Sequence, residues 1–418
     1  MECEQVKKPK QMLKTIKIRL ILNQTEKDEL NKLFGVFRWY YNVALDIYKL
    51  EKDKKNIYTS GKVSFPKLRD IIKKYELKNE NGKNIYNFNE ENKKEPIPEW
   101  YEDTIHTRIP RGAYHNFTSN IKSAISNYEN GHINKYDLSY KTKKDKNYFL
   151  SFEDKNFPAI LKQLKGVYKY GRKRITYEEI LKNTDVKGIK VHYDRTLNRY
   201  TLLYPVDINW KPITNENQIG KRSPFISLDT GVRTFQTGYA KDHIVEMGKE
   251  CWKRLYSLLL EVDECNSLLD KYGYKRKWKR RKARLYHQIQ NLKNELHWKS
   301  CSYLVKNYEN ILLPEFAIMS MVKGKLPKKI KRLLYLFSYY QFKEKLQFKC
   351  KEYGTNIVIV DESYTSKTCT NCGNLHKTLG SNKTYNCKKC NMVIDRDVNG
   401  ARNILLKNHK LIKLKING

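Results

Sequence analysis

The amino-acid sequence contains no long apolar segment. A membrane-spanning helix needs about 18 or more consecutive apolar residues, and no run approaches that length. The first residues, Met1-Glu2-Cys3-Glu4, are also unlike the start of a signal peptide. We therefore expect an intracellular protein with no membrane partner, nuclear if its source is eukaryotic and otherwise in the cytoplasm or nucleoid.

Acidic residues are scarce relative to basic ones. Lysine and arginine number 83 against 45 aspartates and glutamates, which gives a formal net charge of +38. Self-repulsion of this size is usually tolerated only when a polyanion neutralises it. The 31 tyrosines offer rings on which bases can stack. A coding sequence rich in A and T would raise the lysine and tyrosine counts without a functional reason, but it would not produce the imbalance over acids. The composition therefore predicts a nucleic-acid partner.

Cysteine is scarce outside one short segment. Five of the nine cysteines are scattered along the chain, an odd number that suits reduced thiols rather than disulfides. The other four form two Cys-x2-Cys pairs separated by 14 residues, and these are Cys369, Cys372, Cys387 and Cys390. Four thiolates at this spacing can close a tetrahedron around Zn²⁺, and Gly373 can take the positive φ that turns backbone amides toward the sulfurs. The spacing predicts a structural zinc ribbon at 365–393 that leaves zinc no open position for catalysis.

Three strand-like regions occur in the first half of the chain. Apolar and basic residues alternate at 12–22, and apolar residues recur with a period of two at 136–153 and 187–206. Strands that surround a helical segment are typical of one barrel with an insertion. We therefore predict a β-barrel formed by residues 1–24 and 131–213.

The segment between these strands has helical periodicity. One helix is predicted to begin with Thr25 as its cap, and a second follows Pro110. Residues 51–100 are rich in Lys, Asn and Glu and have weak periodicity, which indicates short helices and loops. The prediction is a helical insertion at 25–130, and a polar linker at 214–220 ends this half of the chain.

In the second half, carboxylates occur at the ends of apolar strands. Asp229 ends a strand that turns back as a hairpin, Glu315 ends the next strand, and Glu362 ends the third. Asp397 lies at the start of the last helix. Asp229 by itself could simply cap a turn, which is common for aspartate.

The order strand, hairpin, helices, strand, helix, strand and helix has one economical interpretation. It predicts an α+β protein whose second half, residues 221–364 and 394–418, is a mixed sheet of the ribonuclease H type with acids at one edge. Phosphodiester cleavage by two Mg²⁺ ions about 3.5–4 Å apart needs such a cluster of hard oxygen ligands. We expect Asp229, one glutamate and Asp397 to bind this pair of magnesium ions.

A strongly basic segment joins two predicted helices between residues 252 and 307. A turn at Tyr272-Gly273 makes the helices an antiparallel hairpin. Eight of the ten residues from 275 to 284 are cations. A solvated helix face would normally mix both signs, so this run predicts contact with phosphates, and it is also compatible with a nuclear localisation signal. The eight are Lys275, Arg276, Lys277, Lys279, Arg280, Arg281, Lys282 and Arg284.

Several motifs resemble those of TnpB, a transposon-encoded protein family, and of its eukaryotic and viral relatives, the Fanzor proteins. They are Ser227-Leu-Asp-Thr-Gly231, Ile311-Leu-Leu-Pro-Glu-Phe316, Tyr364-Thr-Ser-Lys-Thr-Cys-Thr-Asn-Cys-Gly373 and Asp395-Arg-Asp-Val-Asn-Gly-Ala-Arg-Asn-Ile404. The match is specific across 221–407 and looser across 12–220. The same resemblance links the chain to type V CRISPR effectors.

The resemblance implies an RNA-guided DNA endonuclease. Its N-terminal half would be a wedge-type barrel with an inserted recognition lobe, and its C-terminal half a RuvC nuclease that contains the zinc ribbon. A guide RNA would pair with one strand of a double-stranded DNA target, while the protein, a monomer with its RNA, reads a short adjacent motif. Segments that match the family contain further candidates for nucleic-acid contact, which are Arg38, Tyr41, Arg108, Arg111 and Lys367.

The second acid departs from the common TnpB pattern. The strand that usually ends in glutamate has Pro314 there, and Glu315 follows one residue later. A shift of one residue turns a strand side chain to the other face. In Fanzor proteins and one TnpB branch the glutamate lies just before the Tyr-Thr-Ser-Lys-Thr-Cys segment, where this chain has Glu362. We therefore favour Glu362 over Glu315, and Asp397 over Asp395 because it matches Asp-x-Asn-Gly-Ala.

Two other functions fit part of the sequence. A nuclease-dead, RNA-guided DNA-binding regulator would keep the basic surface and the ribbon but lose an acid, whereas all three acids are present. A transposase or junction resolvase would use the same acids on DNA without RNA. An RNA of defined sequence that co-purifies with the protein would favour the guided nuclease.

Overall fold

The computed structural model describes most of the chain in two compact units, residues 1–209 and 210–418. The described residues are 13–53, 76–78, 84–87, 94–96, 109–152, 167–170, 173–175, 188–207, 222–273, 275–315, 322, 324, 326–376 and 382–416. Both units combine helices and strands, so the prediction of an α+β protein with several domains is confirmed. The predicted linker at 214–220 lies outside the described residues.

Most described strands of the first unit form a six-stranded antiparallel sheet of order β5-β8-β9-β1-β6-β7. Ile18 pairs with Leu202, and both side chains are buried in the core. Within the described residues the outer strands β5 and β7 do not pair with each other, so closure into a barrel stays a prediction. The strands of this unit are β1 (Leu13–Ile21), β2 (Glu76–Lys78), β3 (Asn84–Asn87), β4 (Lys94–Pro96), β5 (Asn147–Phe152), β6 (Val167–Tyr170), β7 (Lys173–Ile175), β8 (Ile189–Asp194) and β9 (Arg199–Asp207).

Two helices pack against this sheet, α1 (Gln24–Asp53) and α2 (Ile109–Glu129). The prediction that Thr25 caps α1 is wrong. The Asn23 side chain accepts a hydrogen bond from the Glu26 backbone N–H (2.8 Å), and the Glu26 carboxylate accepts one from the Asn23 N–H (2.7 Å). This reciprocal capping box satisfies two backbone donors at the helix start.

The prediction for residues 51–100 is wrong in part. The described portions of this segment include the end of α1 and three short strands, β2, β3 and β4, which pair as an antiparallel sheet. The segment alternates too irregularly for its strands to give a period-two signal, and strands of three or four residues are too short to establish one.

The second unit contains a five-stranded mixed sheet of order β12-β11-β10-β13-β14. Strand β11 runs antiparallel to both β10 and β12, whereas β13 runs parallel to β10 and β14 parallel to β13. The strands are β10 (Ser223–Thr230), β11 (Gln236–Ala240), β12 (Ile244–Met247), β13 (Tyr308–Pro314) and β14 (Asn356–Val360), and a separate hairpin consists of β15 (Thr384–Asn386) and β16 (Val393–Asp395).

Residues of the central strands alternate between two cores. Ile311 and Leu313 pack in the larger core with helices α3, α4 and α6, while Leu312 packs on the opposite face with Ile404 of helix α7. The sheet is therefore covered on both faces, as expected of parallel strands that are apolar throughout. The helices are α3 (Cys251–Tyr272), α4 (Arg276–Asn307), α5 (Lys328–Phe337), α6 (Tyr339–Tyr353) and α7 (Arg396–Ile416).

The helix expected at 328–352 is two helices that meet at Ser338. Ser338 has a φ of 50°, in the left-handed region, which ends α5 and starts α6. Its hydroxyl accepts a hydrogen bond from the Lys293 ammonium (3.0 Å). Apolar periodicity continues across this break, which is why the sequence indicated one helix. None of the described helices is long and apolar enough to cross a bilayer.

Candidate active site and cysteine cluster

Asp229 faces helix α7 from the central strand β10. Side chains alternate along a strand, so Asp229 lies on the same face as Ser227. The Ser227 hydroxyl donates a hydrogen bond to the Ala401 carbonyl of α7 (2.7 Å). A Cβ at Gly400 would lie 2.8 Å from an Asp229 carboxylate oxygen, closer than real Cβ contacts allow. The glycine therefore lets α7 approach the carboxylate.

Asp397 lies in the first turn of α7, near the turn that follows β10. A Cβ at Gly231 would lie 4.0 Å from an Asp397 carboxylate oxygen. The neighbouring acid has another role, since the Asp395 carboxylate accepts hydrogen bonds from the backbone N–H groups of Asp397 (2.9 Å) and Val398 (3.3 Å). Asp395 thus caps the helix on which Asp397 lies.

Glu362 lies two residues beyond β14. Because β10, β13 and β14 are parallel, their carboxyl ends meet at one edge of the sheet. The turn that holds Glu362 is anchored on both sides. The Asp361 carboxylate accepts a hydrogen bond from the Lys407 ammonium (2.5 Å), and the Thr365 hydroxyl donates to the Glu362 carbonyl (2.8 Å).

The Asp229 carboxyl group interacts electrostatically with those of Asp397 and Glu362. Burial, followed by the negative charges of Asp397 and Glu362, raises the pKa of Asp229 well above its usual value. Burial raises the pKa of Glu362 to about 7, with a further contribution from Asp361. The pKa of Asp397 is raised by burial and then by Asp395. Partly buried carboxyl groups resist becoming ionised at the same time, because their negative charges repel one another. A bound cation would offset that repulsion, and carboxylate oxygens are hard donors suited to it.

The alternative acid, Glu315, is not among the charges that raise the pKa of Asp229. It is exposed just beyond β13, where its backbone N–H donates to the Val360 carbonyl (2.9 Å). The carboxylates that act most strongly on Asp229 are those of Asp397 and Glu362. The choice between Glu362 and Glu315 therefore stays a prediction.

The four cysteines form a compact cluster. The Sγ atoms of Cys369 and Cys390 are 3.6 Å apart, as are those of Cys372 and Cys387. Among the residues with described positions, this is the one group of three or more His, Cys, Asp or Glu side chains whose ligand atoms all lie within 4.8 Å of one another. A hydrogen bond from the Met392 backbone lowers the pKa of Cys390 to about 6, which favours the thiolate. The donor set is therefore suitable for zinc.

Two asparagines of α7 connect the acids to the cysteine cluster. The Asn399 amide accepts a hydrogen bond from the Thr370 N–H (3.1 Å) and donates to the Thr368 carbonyl (2.8 Å). Asn403 donates to the carbonyls of Thr365 (2.8 Å) and Thr368 (2.6 Å). The sequence analysis did not assign these roles. Two asparagines four residues apart in an otherwise apolar helix face are the signal that could have revealed them.

The basic segment begins α4, and its cations differ in exposure. Lys275, Arg276, Lys277 and Arg284 are exposed, whereas Lys279, Arg280, Arg281 and Lys282 are partly buried. The Arg281 guanidinium lies 3.4 Å from the Glu261 carboxylate and 3.5 Å from that of Glu264. Arg281 is therefore partly neutralised within the protein.

The remaining candidates for nucleic-acid contact are dispersed. Tyr41 is only 2% exposed in the core, so the prediction that it contacts nucleic acid is wrong, because a base cannot reach its ring. Arg38 is half-buried, Arg111 and Lys367 are exposed, and Arg108 lies outside the described residues. A helical pattern that includes tyrosine does not distinguish a core ring from a surface ring.

Comparison with known proteins assigns the chain to a family. Residues 339–404 match the family model described as "Cas12f1-like, TNB domain", and residues 12–55 match one described as "Helix-turn-helix domain". The TnpB-like protein L79 of Acanthamoeba polyphaga mimivirus is 26% identical over 405 residues, which cover 93% of this chain and 72% of the relative. The chain belongs to the TnpB/Cas12-related family.

Other proteins match this TnpB-related chain over shorter regions or at lower identity. A protein from Streptomyces pristinaespiralis named "Putative RNA-guided DNA endonuclease" is 30% identical over 184 residues, 43% of this chain and 44% of the relative. Alignment with the protein in a cryo-EM structure of a Cas12f1-sgRNA-target DNA complex covers 94% of this chain and 98% of that one, at 16% identity and a TM-score of 0.35. In the region that matches the helix-turn-helix description, this chain has a strand followed by one long helix.

Proposed function

We propose that this protein is an RNA-guided DNA endonuclease with a RuvC-type nuclease domain. The observation on which this rests most is the position of Asp229 beside Asp397 and within the electrostatic reach of Glu362, at one edge of a mixed sheet. The order β12-β11-β10-β13-β14, with β13 and β14 parallel to β10, supports a ribonuclease H-type domain. The names of the relatives support RNA guidance.

In this proposal Asp229, Glu362 and Asp397 would hold magnesium. Bound Mg²⁺ supplies activation of water and stabilisation of the leaving oxygen in phosphodiester hydrolysis. The chain contributes oxygen donors on rigid elements, since Asp229 lies on the central strand, Asp397 on the first turn of α7, and Glu362 in an anchored turn. Arg396 opposes the raised pKa values of both Asp229 and Asp397, and thereby favours their ionised forms.

The four cysteines would hold a structural zinc ion. With four thiolate ligands no position is open to a substrate, so the contribution is to stability. The loop between Glu362 and Cys369 is hydrogen-bonded to α7, which also contains Asp397. Zinc would therefore help to keep Glu362 in place relative to the other two acids.

The guide RNA and the DNA would bind through the basic surface, which includes the start of α4. A protein with a net charge of +38 can hold an RNA–DNA duplex by its backbone, leaving base pairing to read the sequence. A glutamate at the position of Glu362, rather than at the end of β13, is the Fanzor-like arrangement. We therefore place the chain with the Fanzor proteins within the family. We expect a monomer bound to one RNA.

Substitution of single acids tests the nuclease assignment. Asp229→Asn and Asp397→Asn should each lower Mg²⁺-dependent cleavage of a target plasmid by about 100-fold or more, the scale of losing a group that stabilises reacting charge. RNA binding should be unchanged, because neither residue lies in the basic segment. Cleavage by either variant at the unsubstituted rate would refute the metal assignment.

The choice of glutamate is tested by a matched pair of variants. Glu362→Gln should inactivate the purified protein–RNA complex, whereas Glu315→Gln should cleave at the normal rate, because Glu315 is exposed and the carboxylates that act on Asp229 are those of Asp397 and Glu362. The opposite result would move the site to Glu315.

RNA guidance is tested by sequencing nucleic acid that co-purifies with the protein. A single RNA of defined sequence, whose terminal segment directs cleavage when it is changed, is the expected result. Cleavage of branched or duplex DNA by RNA-free protein would instead indicate a resolvase or transposase. Guided binding without cleavage would indicate a regulator.

A further inference from the structure

A cleft of about 470 Å³ lies within the first unit, between helix α1 and strands β5 and β8. This volume is within the range of about 300–1,000 Å³ that is common for small-ligand sites. Asp28, Gly35 and Arg38 line it from one face of α1, at helical spacing. Gly35 contributes no side chain, which leaves room between the polar residues on either side of it.

Two tyrosine rings form one wall of the cleft. The rings of Tyr148 and Tyr193 lie 5.9 Å apart at 21° to each other, and Phe34 packs against both from the core. The Tyr148 hydroxyl donates to the Lys143 carbonyl (2.5 Å), and the Tyr193 hydroxyl donates to the Asn198 side chain (3.0 Å). The rings are therefore held in place before any ligand binds, and this lowers the entropy lost on stacking.

Cations surround these rings. Lys32, Arg38, Lys143 and Arg195 line the cleft against one carboxylate, that of Asp28. Within the described part of the chain, Arg38 forms no hydrogen bond or ion pair, although it is half-buried. Burial lowers the pKa of the Arg38 guanidinium, against the opposing charges of Tyr148 and Asp145. Burial also raises the pKa of the Tyr148 hydroxyl, and the positive charges of Arg38 and Arg195 oppose that rise. An anion in the cleft would offset the cost of burying this charge.

We propose that this cleft holds one unpaired nucleotide of a nucleic-acid strand, with its base against Tyr148 and Tyr193 and its phosphate beside Arg38 and Arg195. Fixed aromatic rings next to guanidinium groups are the chemistry that recognises an unstacked base and its phosphate. The inference rests on the proposed function only in that the protein binds nucleic acid, and it does not require cleavage.

Adjacent residues provide matched controls for this site. Tyr148 lines the cleft and the next residue, Phe149, points to the opposite face of β5, where its exposed ring stacks on His192. Likewise Lys143 lines the cleft, whereas its exposed neighbour Lys144 does not. Tyr148→Leu is therefore compared with Phe149→Leu, and Lys143→Ala with Lys144→Ala. The two substitutions of a pair are of the same type, but only the first of each pair changes a residue that lines the cleft.

The experiment measures the affinity of the full chain, freed of bound nucleic acid at high salt, for labelled ten-nucleotide oligouridylate and oligothymidylate without divalent cations. Tyr148→Leu should weaken binding about 5- to 150-fold, the range for losing one stacked base, while Tyr148→Phe and Phe149→Leu stay within about twofold of the parent. Log K for binding falls as log salt concentration rises. Lys143→Ala and Arg38→Gln should each make this slope less steep by about 0.7, and Lys144→Ala should leave it unchanged.

The two oligonucleotides distinguish the source of the nucleotide. A loss confined to oligouridylate assigns the cleft to RNA, a loss confined to oligothymidylate assigns it to DNA, and competition by uridine monophosphate alone would show a site for free nucleotides and overturn the proposal. The proposal would also be overturned by a result with two parts. Tyr148→Leu and Phe149→Leu would have equal effects, and Lys143→Ala and Arg38→Gln would leave the salt slopes unchanged. This experiment measures binding without divalent cations, whereas the nuclease assignment is tested by Mg²⁺-dependent cleavage, so failure of one and failure of the other give different results.

Discussion

Gly400 shows how one missing side chain controls the candidate site. Any Cβ at this position would lie 2.8 Å from an Asp229 oxygen, so the distance between strand β10 and helix α7 depends on glycine here. Glycine in a helix interior is otherwise unfavourable, by about 1 kcal/mol relative to alanine. Gly400 lowers helix stability at a position next to a carboxylate, which is consistent with a functional rather than a stabilising role.

Gly400→Ala should therefore separate activity from stability. Displacement of Asp229 or α7 by about 1 Å should reduce cleavage about 100-fold, because such shifts misalign reacting groups. Leu406→Ala, at an exposed position of the same helix, is the control and should cleave normally. Cleavage rates and thermal unfolding of both variants check this, and full activity of Gly400→Ala would show that the acids tolerate a wider spacing.

At the scale of elements, helix α7 connects three parts of the second unit. It supplies Asp397, packs Ile404 against the sheet, and binds the loop before the first cysteine pair through Asn399 and Asn403. One element thus positions an acid and fastens the loop that follows Glu362. A change in the cysteine cluster should therefore reach the acids through this helix.

Loss of a cysteine ligand should disorder the ribbon without unfolding the rest of the protein. Structural zinc contributes about 10 kcal/mol or more to small modules, so Cys387→Ser should lose zinc. The backbone beside Lys383, Lys388 and Lys389, whose side chains are already exposed, should then unfold and become cleavable by trypsin. Cys251→Ser, outside the cluster, should keep its zinc. Metal content and limited proteolysis measure both effects, and zinc bound at the normal ratio by Cys387→Ser would contradict the four-thiolate assignment.

The start of α4 offers a test of which cations contact nucleic acid. Lys277 is exposed, whereas Arg281 pairs with Glu261 and Glu264. Lys277→Ala should weaken RNA binding and lower the slope of log K against log salt by about 0.7–0.9, the value for one phosphate contact. Arg281→Ala should change the slope less, because its charge is already compensated. Equal slopes for the two variants would mean that the ion pairs open when RNA binds.

At the scale of the whole molecule, net charge dominates the physical behaviour. A charge of +38 on 418 residues opposes compactness in the free protein, and a bound polyanion removes that repulsion. Salt should therefore act in opposite directions on the two forms, since it screens repulsion in one and weakens attraction in the other.

The melting temperature should show this reversal. Between about 0.1 and 0.5 M NaCl the Tm of RNA-free protein should rise, because the Debye length falls from about 10 Å toward the spacing of neighbouring charges. Over the same range the Tm of the protein–RNA complex should fall as the RNA is released. Differential scanning calorimetry of both forms provides the test, and a parallel response would show that intramolecular repulsion does not limit stability.

The sequence by itself determined the local features of this protein. Several features could be predicted because each depends on neighbouring residues or on composition. They are the four cysteines at fixed spacing, the apolar strands ending in acids, the two-helix hairpin with its basic segment, and the excess of cations. Asp229, Glu362 and Asp397 were identified as candidates, through strand-end positions and family motifs.

Only the tertiary structure decided how distant residues meet. By packing α7 on β10, it put Asp397 within electrostatic reach of Asp229, although the two are 168 positions apart in the chain. It also buried Tyr41 and revealed the cleft beside Tyr148. These outcomes depend on strand order and on which face of an element meets another, and side-chain periodicity along the chain gives the faces but not their partners.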